Sequence, residues 1–208
     1  MQTMGWYTRQ VLPRVVGSVC STPLLDPWRM RACRGLEGEV VELGTGSGPN
    51  LRHLPATVTR LVAVEPNLTA RRLCAARNPG AMGRVEFMDM PDVTALVEGS
   101  FDHALCTFTL CSVDDPVDTL TQLWRAVRPG GSLRLVEHGL APDDSTARWQ
   151  RRLDPWERRL AGGCSLSNDP VTVVRSTPWR VEEVEQGFVR APRPWGYLTF
   201  LVASRSVA

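Results

Sequence analysis

The chemistry-bearing stretch of this 208-residue chain is Glu42-Leu43-Gly44-Thr45-Gly46-Ser47-Gly48. Val40-Val41-Glu42-Leu43 reads as a buried strand with an acidic residue near its end. Glycines follow at every second position, then Pro49-Asn50 and a short helical pattern over 49–54. A strand running into such a turn lets backbone approach a nucleotide closely, because glycine has no Cβ and tolerates positive φ. The spacing separates the candidate ligands. A dinucleotide fingerprint, G-x-G-x-x-G, would need its third glycine at position 49, which is Pro49. The pattern here is E-x-G-x-G-x-G. Leu61-Val62-Ala63-Val64-Glu65 reads as a second buried strand, closed by Pro66-Asn67. Glu65 stands about 20 residues beyond the glycines, where each carboxylate oxygen can accept one ribose hydroxyl.

These groups need elements to position them. Trp6, Tyr7, Val11, Leu12, Val15 and Val16 recur at helical spacing, so residues 1–36 read as a helical cap. Such a cap covers either a sheet edge or the mouth of a ligand site. Leu68–Arg77 reads as a helix with Arg71, Arg72 and Arg77 on a solvated face. Val85–Met88 is a third strand, with Asp89-Met90 at its C-terminal end, and Phe101–Thr107 is a fourth. Leu110-Cys111-Ser112 lies at that strand's mouth, where ligands of open α/β sheets sit. Asp114-Asp115-Pro116 starts a helix carrying Leu120, Leu123, Trp124 and Val127, with acid at the cap and proline in the first turn. Arg128-Pro129-Gly130-Gly131 turns the chain into a fifth strand, Ser132–Glu137, followed by His138. Residues 143–161 form a long helix interrupted by Pro155, with Trp149, Leu153, Trp156 and Leu160 available for burial. A short helix spans 171–176, and strands at 180–190 and 196–204, joined through Pro192 and Pro194, suggest an antiparallel hairpin. With no internal repeat or linker, residues 1–208 read as one domain: cap 1–36, core 37–208.

Composition sets bounds. A net charge of +2 gives no electrostatic case for nucleic acid as a partner. All 24 basic residues are arginine, which removes lysine as a base. The six cysteines carry no C-x-x-C pair, and the three histidines do not cluster, so no metal is expected. Free buried thiols in a reducing compartment fit that scatter. There is no run long and apolar enough for a membrane span and no signal peptide, so a cytoplasmic protein without a stable membrane anchor is expected, as monomer or homodimer.

Strand, E-x-G-x-G-x-G turn, acidic second-strand end and R-P-G-G before the fifth strand together resemble the class I S-adenosylmethionine-dependent methyltransferases. That resemblance implies an α/β fold: a Rossmann-like seven-stranded sheet with helices on both faces and a C-terminal antiparallel hairpin. Further blocks fall in family order: Tyr7-x-Arg9-x-Val11-Leu12-Pro13-Arg14, Cys106-Thr107-x-x-Leu110-Cys111-Ser112-Val113, Glu137-His138, Trp149-Gln150, and 154–166 with Gly162-Gly163-Cys164. They are similar to a bacterial and animal methyltransferase-like group that includes alkyl thiol S-methyltransferases. Two positions depart from it: many relatives carry His or Cys at 165 and Arg at 168, where this chain has Ser165 and Asn168.

The resemblance implies S-adenosylmethionine as cofactor and S-adenosylhomocysteine as product. It implies a cofactor set of Glu42, Gly44, Thr45, Gly46, Gly48, Asn50, Glu65, Pro66, Asn67, Asp89, Met90, Thr107 and Leu110, with Asp89 reaching the adenine amino group. Tyr7, Cys111, Trp149 and Cys164 are the expected acceptor-pocket residues. Methyl transfer from a sulfonium is an in-line displacement, so orientation supplies much of the rate. The expected acceptor is a small, largely apolar molecule, a thiol by preference. The oxygen, nitrogen or carbon of a quinone, phenol, lipid headgroup or secondary metabolite is the rival, and a binding or scaffolding module the non-enzyme alternative. His138 is the first base candidate, because histidine titrates near neutral pH. Asp154 is the second. Each has an ordinary alternative, a strand-end histidine beside Glu137 and a helix-surface aspartate.

Overall fold

The computed structural model describes residues 5–88 and 93–207. A π-helical turn, Tyr7–Val11, runs into α1 (Leu12–Val19), and a 3-10 turn, Pro23–Leu25, into α2 (Asp26–Cys33). Then come β1 (Gly38–Leu43), a 3-10 turn Leu51–His53, β2 (Val58–Val64), α3 (Leu68–Arg77), β3 (Val85–Met88) and β4 (Phe101–Thr107). The chain continues through α4 (Pro116–Ala126), β5 (Val127–His138), α5 (Asp144–Leu160), α6 (Pro170–Arg175), β6 (Arg180–Phe188), the single turn α7 (Arg193–Gly196) and β7 (Tyr197–Ser204).

The strands form one seven-stranded sheet in the order β3-β2-β1-β4-β5-β7-β6. β1 to β5 are parallel, and β7 runs antiparallel between β5 and β6, which is the expected terminal hairpin. The order reverses between β1 and β4, so the space beyond their C-terminal ends is the crevice where open α/β sheets bind ligands. Both sheet faces are covered. Alternate residues of each parallel strand feed opposite cores, as a period of two dictates. Val41, Leu43, Ala104, Cys106, Leu133 and Leu135 pack with α4 and α6 on one side. Val40, Leu61, Leu105 and Val136 pack with α2, Leu51 and Cys74 of α3 on the other. Each fully buried leucine here contributes roughly 2 kcal/mol.

Three expectations about elements are corrected. β5 begins at Val127, inside the stretch expected to turn, because Gly130 N–H bonds Arg205 O (2.8 Å) and Arg205 N–H bonds Gly131 O (2.9 Å), so R-P-G-G is already paired. α5 is continuous through Pro155, which lies on its exposed side, where one missing N–H bond is tolerated. That helix also turns the other way. Trp149, Trp156 and Leu160 face solvent, and Thr146, Ala147, Gln150 and Asp154 are buried. Gln150 explains the rotation: its amide donates to Gly139 O (2.9 Å) and Pro194 O (3.1 Å) and accepts from Ala141 N–H (2.8 Å), pairing loop backbone that would otherwise be orphaned. Among the described residues, no helix is long and apolar enough to cross a membrane.

Candidate active site

The glycine turn caps β1 at the switch point. Gly44 and Gly48 have φ of +67° and +76°, and a Cβ on either would collide with Thr109 or with Cys74 and Asn78. Gly46 differs. A Cβ there would project into open space, toward a cavity of about 340 Å³.

Behind the turn lies a buried polar network. Asn50 Nδ2 donates to Glu42 Oε1 (2.6 Å) and Thr107 Oγ1 (2.8 Å). Arg29, 1% exposed, donates from Nη1 to Asn50 Oδ1 (2.7 Å) and Thr107 Oγ1 (2.8 Å), and from Nη2 to Cys20 O (2.9 Å). One guanidinium thus ties α2, the glycine turn and β4 to the cap. Burial pushes the Glu42 carboxyl up, against the hydrogen bond from Asn50. The Thr45 hydroxyl lies against this carboxyl and lowers it too, and neither Glu42 Oε2 nor Thr45 Oγ1 has another hydrogen-bond partner among the described residues. Sparsely bonded oxygens beside a cavity mark a site built for a ligand with polar groups.

Glu65 closes the same cavity from the end of β2. Its Oε2 accepts from Gly46 N–H (2.9 Å) and its Oε1 from Asn67 N–H (2.8 Å). Burial pushes this carboxyl up too, opposed by those two backbone bonds. Each oxygen keeps a lone pair for a second donor. Thr8, Leu12, Pro13, Val16 and Gly17 line the opposite wall, so the N-terminal segment covers the mouth of this cavity rather than a sheet edge. Arg77 pins it there, donating to Gly17 O (2.9 Å) and Ser47 Oγ (2.8 Å), while Asn67 Nδ2 reaches Thr8 O (3.1 Å). Two arginines expected on a solvated face therefore have structural bonds: Arg77, and Arg71, whose Nε and Nη2 hold Glu65 O (2.5 Å) and Met88 O (2.6 Å).

A second cavity, about 520 Å³, adjoins the first. The two share Leu12, Val16, Cys20, Phe108, Ser112 and Ala161. Phe108, between them, is the one non-glycine residue with positive φ (+54°) among the described residues, a conformation that costs a phenylalanine free energy. Leu24, Leu25, Val19 and Leu160 make the second cavity apolar, and His138 and Tyr7 are among its few polar side chains. Burial holds His138 down at about 4, against a hydrogen bond to the Trp195 backbone. Its Nδ1 is buried without a partner.

Glu137, the residue before it, is 1% exposed. Its Oε1 accepts from Thr109 N–H and Leu110 N–H, both 2.6 Å, which shapes the loop carrying Cys111. Burial pushes this carboxyl up to about 7, despite those bonds.

The first cavity brings together Gly44, Thr45, Gly46, Glu65, Pro66, Asn67 and Thr107. Glu42 and Asn50 stand in the layer behind it. Gly48 packs on α3 and Leu110 joins the sheet core, neither lining the cavity. Asp89 and Met90 lie outside the described residues. The second cavity gathers Tyr7, Cys111, Cys164 and His138. Trp149 is outside it, 56% exposed, with Arg152 against its ring. Asp154 is outside as well. Burial raises its carboxyl, but is outweighed by bonds from Arg158, Ser165 Oγ, Leu166 N–H and Ser167 N–H that hold it below the usual range, which makes it the clamp of the 164–167 loop. Sequence reasoning missed Arg29, Phe108 and Glu137. None belongs to a local pattern; only the apolar neighbours of Arg29 and the position of Glu137 at a strand end pointed inward. A larger concavity, about 880 Å³, lies elsewhere; two of its four arginines are ion-paired, Arg31 with Glu183 and Glu185 and Arg52 with Asp26, while Arg134 Nε is buried without a hydrogen-bond partner among the described residues. Among the described residues there is no cluster of three or more His, Cys, Asp or Glu side chains that could hold a metal.

Residues 41–135 match the family described as "Methyltransferase domain". Thiol S-methyltransferase TMT1B of Homo sapiens is 30% identical over 151 residues, 68% of this chain and 60% of that protein. The match thus spans about three fifths of the relative's length. Among solved structures, a SAM-dependent methyltransferase from Aquifex aeolicus superposes with a TM-score of 0.65 at 17% identity, covering 93% of this chain and 98% of that one. The 1,6-didemethyltoxoflavin-N1-methyltransferase of Burkholderia thailandensis, solved with bound 1,6-didemethyltoxoflavin and S-adenosylhomocysteine, gives a TM-score of 0.66 at 16% identity, covering 93% and 84%. Sheet order, switch-point cavity and family match agree: residues 41–135 are a methyltransferase domain, on the fold of the class I S-adenosylmethionine-dependent methyltransferases.

Proposed function

We propose that this enzyme methylates a small, largely apolar acceptor, with a thiol preferred, in the cavity beyond Phe108. The observation that carries the reading is the shared wall: an apolar cavity abuts the polar one through six common residues, so donor carbon and acceptor atom meet without crossing solvent. The bound cofactor supplies an electrophilic methyl on a sulfonium. In this reading Glu65 accepts the ribose hydroxyls, and Gly44, Thr45 and Gly46 let backbone approach the amino-acid portion. The sparsely bonded Glu42 Oε2 and Thr45 Oγ1 suit a ligand that donates, as an ammonium does. Pro66 and Asn67 flank the nucleoside, and Arg29 holds Asn50 and Thr107 in place.

A thiol loses its proton as it is methylated, and the thiolate is the nucleophile. Neutral His138, on the wall of the acceptor cavity, orients the thiol by accepting its hydrogen bond, while the adjoining sulfonium charge favours the thiolate. The thiol preference draws on the likeness to the human thiol S-methyltransferase. An oxygen, nitrogen or carbon acceptor fits the same space. The test is a panel of alkyl and aryl thiols, phenols and amines, with S-adenosylhomocysteine formation followed for each. Thiols turning over fastest would support the proposal; inert thiols beside a reactive phenol or amine would overturn the acceptor and leave the fold and cofactor untouched.

A further inference from the structure

Two blocks of the chain have found no role so far: Leu110-Cys111-Ser112 and Gly162-Gly163-Cys164. The structure lays one against the other. Ser165 N–H bonds Cys111 O at 2.9 Å, which sets the two segments at rung spacing, roughly 5 Å between chains. Gly163 makes the approach feasible: its φ is +96°, and a Cβ there would sit 3.3 Å from Ser112 O. Loop 164–167 is anchored on Asp154 and loop 109–111 on Glu137. The outcome is a sulfur–sulfur contact of 3.2 Å between Cys111 and Cys164, both on the wall of the second cavity. The other four cysteines make no sulfur–sulfur contact among the described residues.

We propose that Cys111 and Cys164 form a reversible disulfide in the acceptor cavity, made by a hydroperoxide small and apolar enough to enter it, and that this bond stops turnover while the cofactor still binds. The sulfurs need to close roughly 1 Å to reach the S–S bond length, and rung-spaced segments lie within the span a disulfide bridges. The reaction balances in two steps. One thiol sulfur attacks the peroxide; an S–O bond forms, the O–O bond breaks, and the alcohol leaves with the thiol proton. The second sulfur displaces hydroxide from that sulfenic acid; the S–S bond forms, the S–O bond breaks, and water leaves with the second proton. Two thiols are oxidised by two electrons and one peroxide is reduced.

Either sulfur can take either step, since each lies within 3.2 Å of the other on the same cavity wall. Both sulfurs line the second cavity, so closing the contact reshapes its wall, while the cofactor cavity contains neither sulfur. The inference rests on the reading of the second cavity as the acceptor cavity and holds whichever acceptor the enzyme uses.

Treatment of the full-length protein with tert-butyl hydroperoxide tests it, read by peptide mapping, turnover and calorimetry with S-adenosylmethionine. The expected result is a mass loss of about 2 Da located in a peptide joining residues 111 and 164. Turnover should fall about tenfold or more and return with dithiothreitol, with cofactor affinity changing less than about twofold. Cys164→Ser should abolish the linked peptide. Should that variant fail to fold, differential alkylation of the untreated and oxidised wild-type protein gives the same assignment. Oxidation confined to Cys20, or a link between any other cysteines, overturns the proposal. A 111–164 link that leaves turnover unchanged overturns its regulatory half.

Discussion

The two cavities on either side of Phe108 are made by different means. The first is a backbone device. A strand end, a glycine turn and the next strand end lie within 25 residues of sequence, and its donors and acceptors include main-chain groups held by Glu65 and Asn67. The second is assembled from the cap, the loops after β4 and β5, the C-terminal part of α5 and the β6–β7 connection. Nothing local specifies it. A short-range device can be kept while long-range packing drifts, so the cofactor half tolerates less change than the acceptor half.

The largest expected effect comes from breaking the network that joins them. Arg29→Met should cost on the order of 3 kcal/mol in urea unfolding, because Asn50, Thr107 and Cys20 O lose a buried charged donor. It should weaken cofactor and acceptor together. An effect on the acceptor alone would show that Arg29 does not serve the first cavity. His138→Phe should lower kcat about 100-fold with little change in cofactor affinity, in line with loss of a positioned proton acceptor. Loss of cofactor binding instead would mean the cavities are not separable there. Glu65→Gln should do the reverse. Cofactor affinity should fall by about 2 kcal/mol, the range for a hydrogen bond to a charged group, with the acceptor KM unmoved.

Opposed titrations make a subtler pair. His138 is held at about 4 in the fold against 6.5 for a free imidazole, so the unfolded chain binds its proton first and stability is lost as pH falls from 6.5 towards 4. Glu137 is raised from 4.5 to about 7, so the folded chain binds its proton first and stability is lost as pH rises from 4.5 towards 7. The two contributions oppose each other across the shared window. Thermal melts should show His138→Gln more stable at pH 5 than at pH 7, and Glu137→Gln the reverse. Parallel slopes in the two variants would sink this account. The smallest contrast lies on α5: Gln150→Ala should cost about 1–2 kcal/mol by orphaning loop backbone, whereas Trp149→Ala should change stability by less than about 0.5 kcal/mol and turnover not at all.

The sheet was legible because parallel strands buried on both faces read as unbroken apolar runs, and β4 and α3 fall at their expected bounds. The first cavity was legible for the same reason it is robust: Glu42, Gly44, Gly46 and Glu65 form a local pattern. α5 was misread. Its aromatic stripe has helical period, and periodicity alone predicts burial; the competing demand of loop backbone for Gln150 and Asp154 is a tertiary one that the sequence does not display. Arg29 was invisible for a related reason, since a buried arginine is tolerated only where partners 21 and 78 residues away converge on it.

The π-helical turn and α1 line both cavities while burying only one residue of α1, Gly17, and among the described residues their polar ties to the core are few: Arg77 and Ser47 to Gly17, Asn67 to Thr8, Thr69 to Gln10, and Tyr7 Oη to Leu160 O. A segment held so lightly detaches far more cheaply than the sheet beneath it. Because this segment lines both cavities, the clock of a catalytic cycle is expected to run at the rate of its lifting. Faster exchange then comes from loosening Arg77, a residue remote from the reacting atoms.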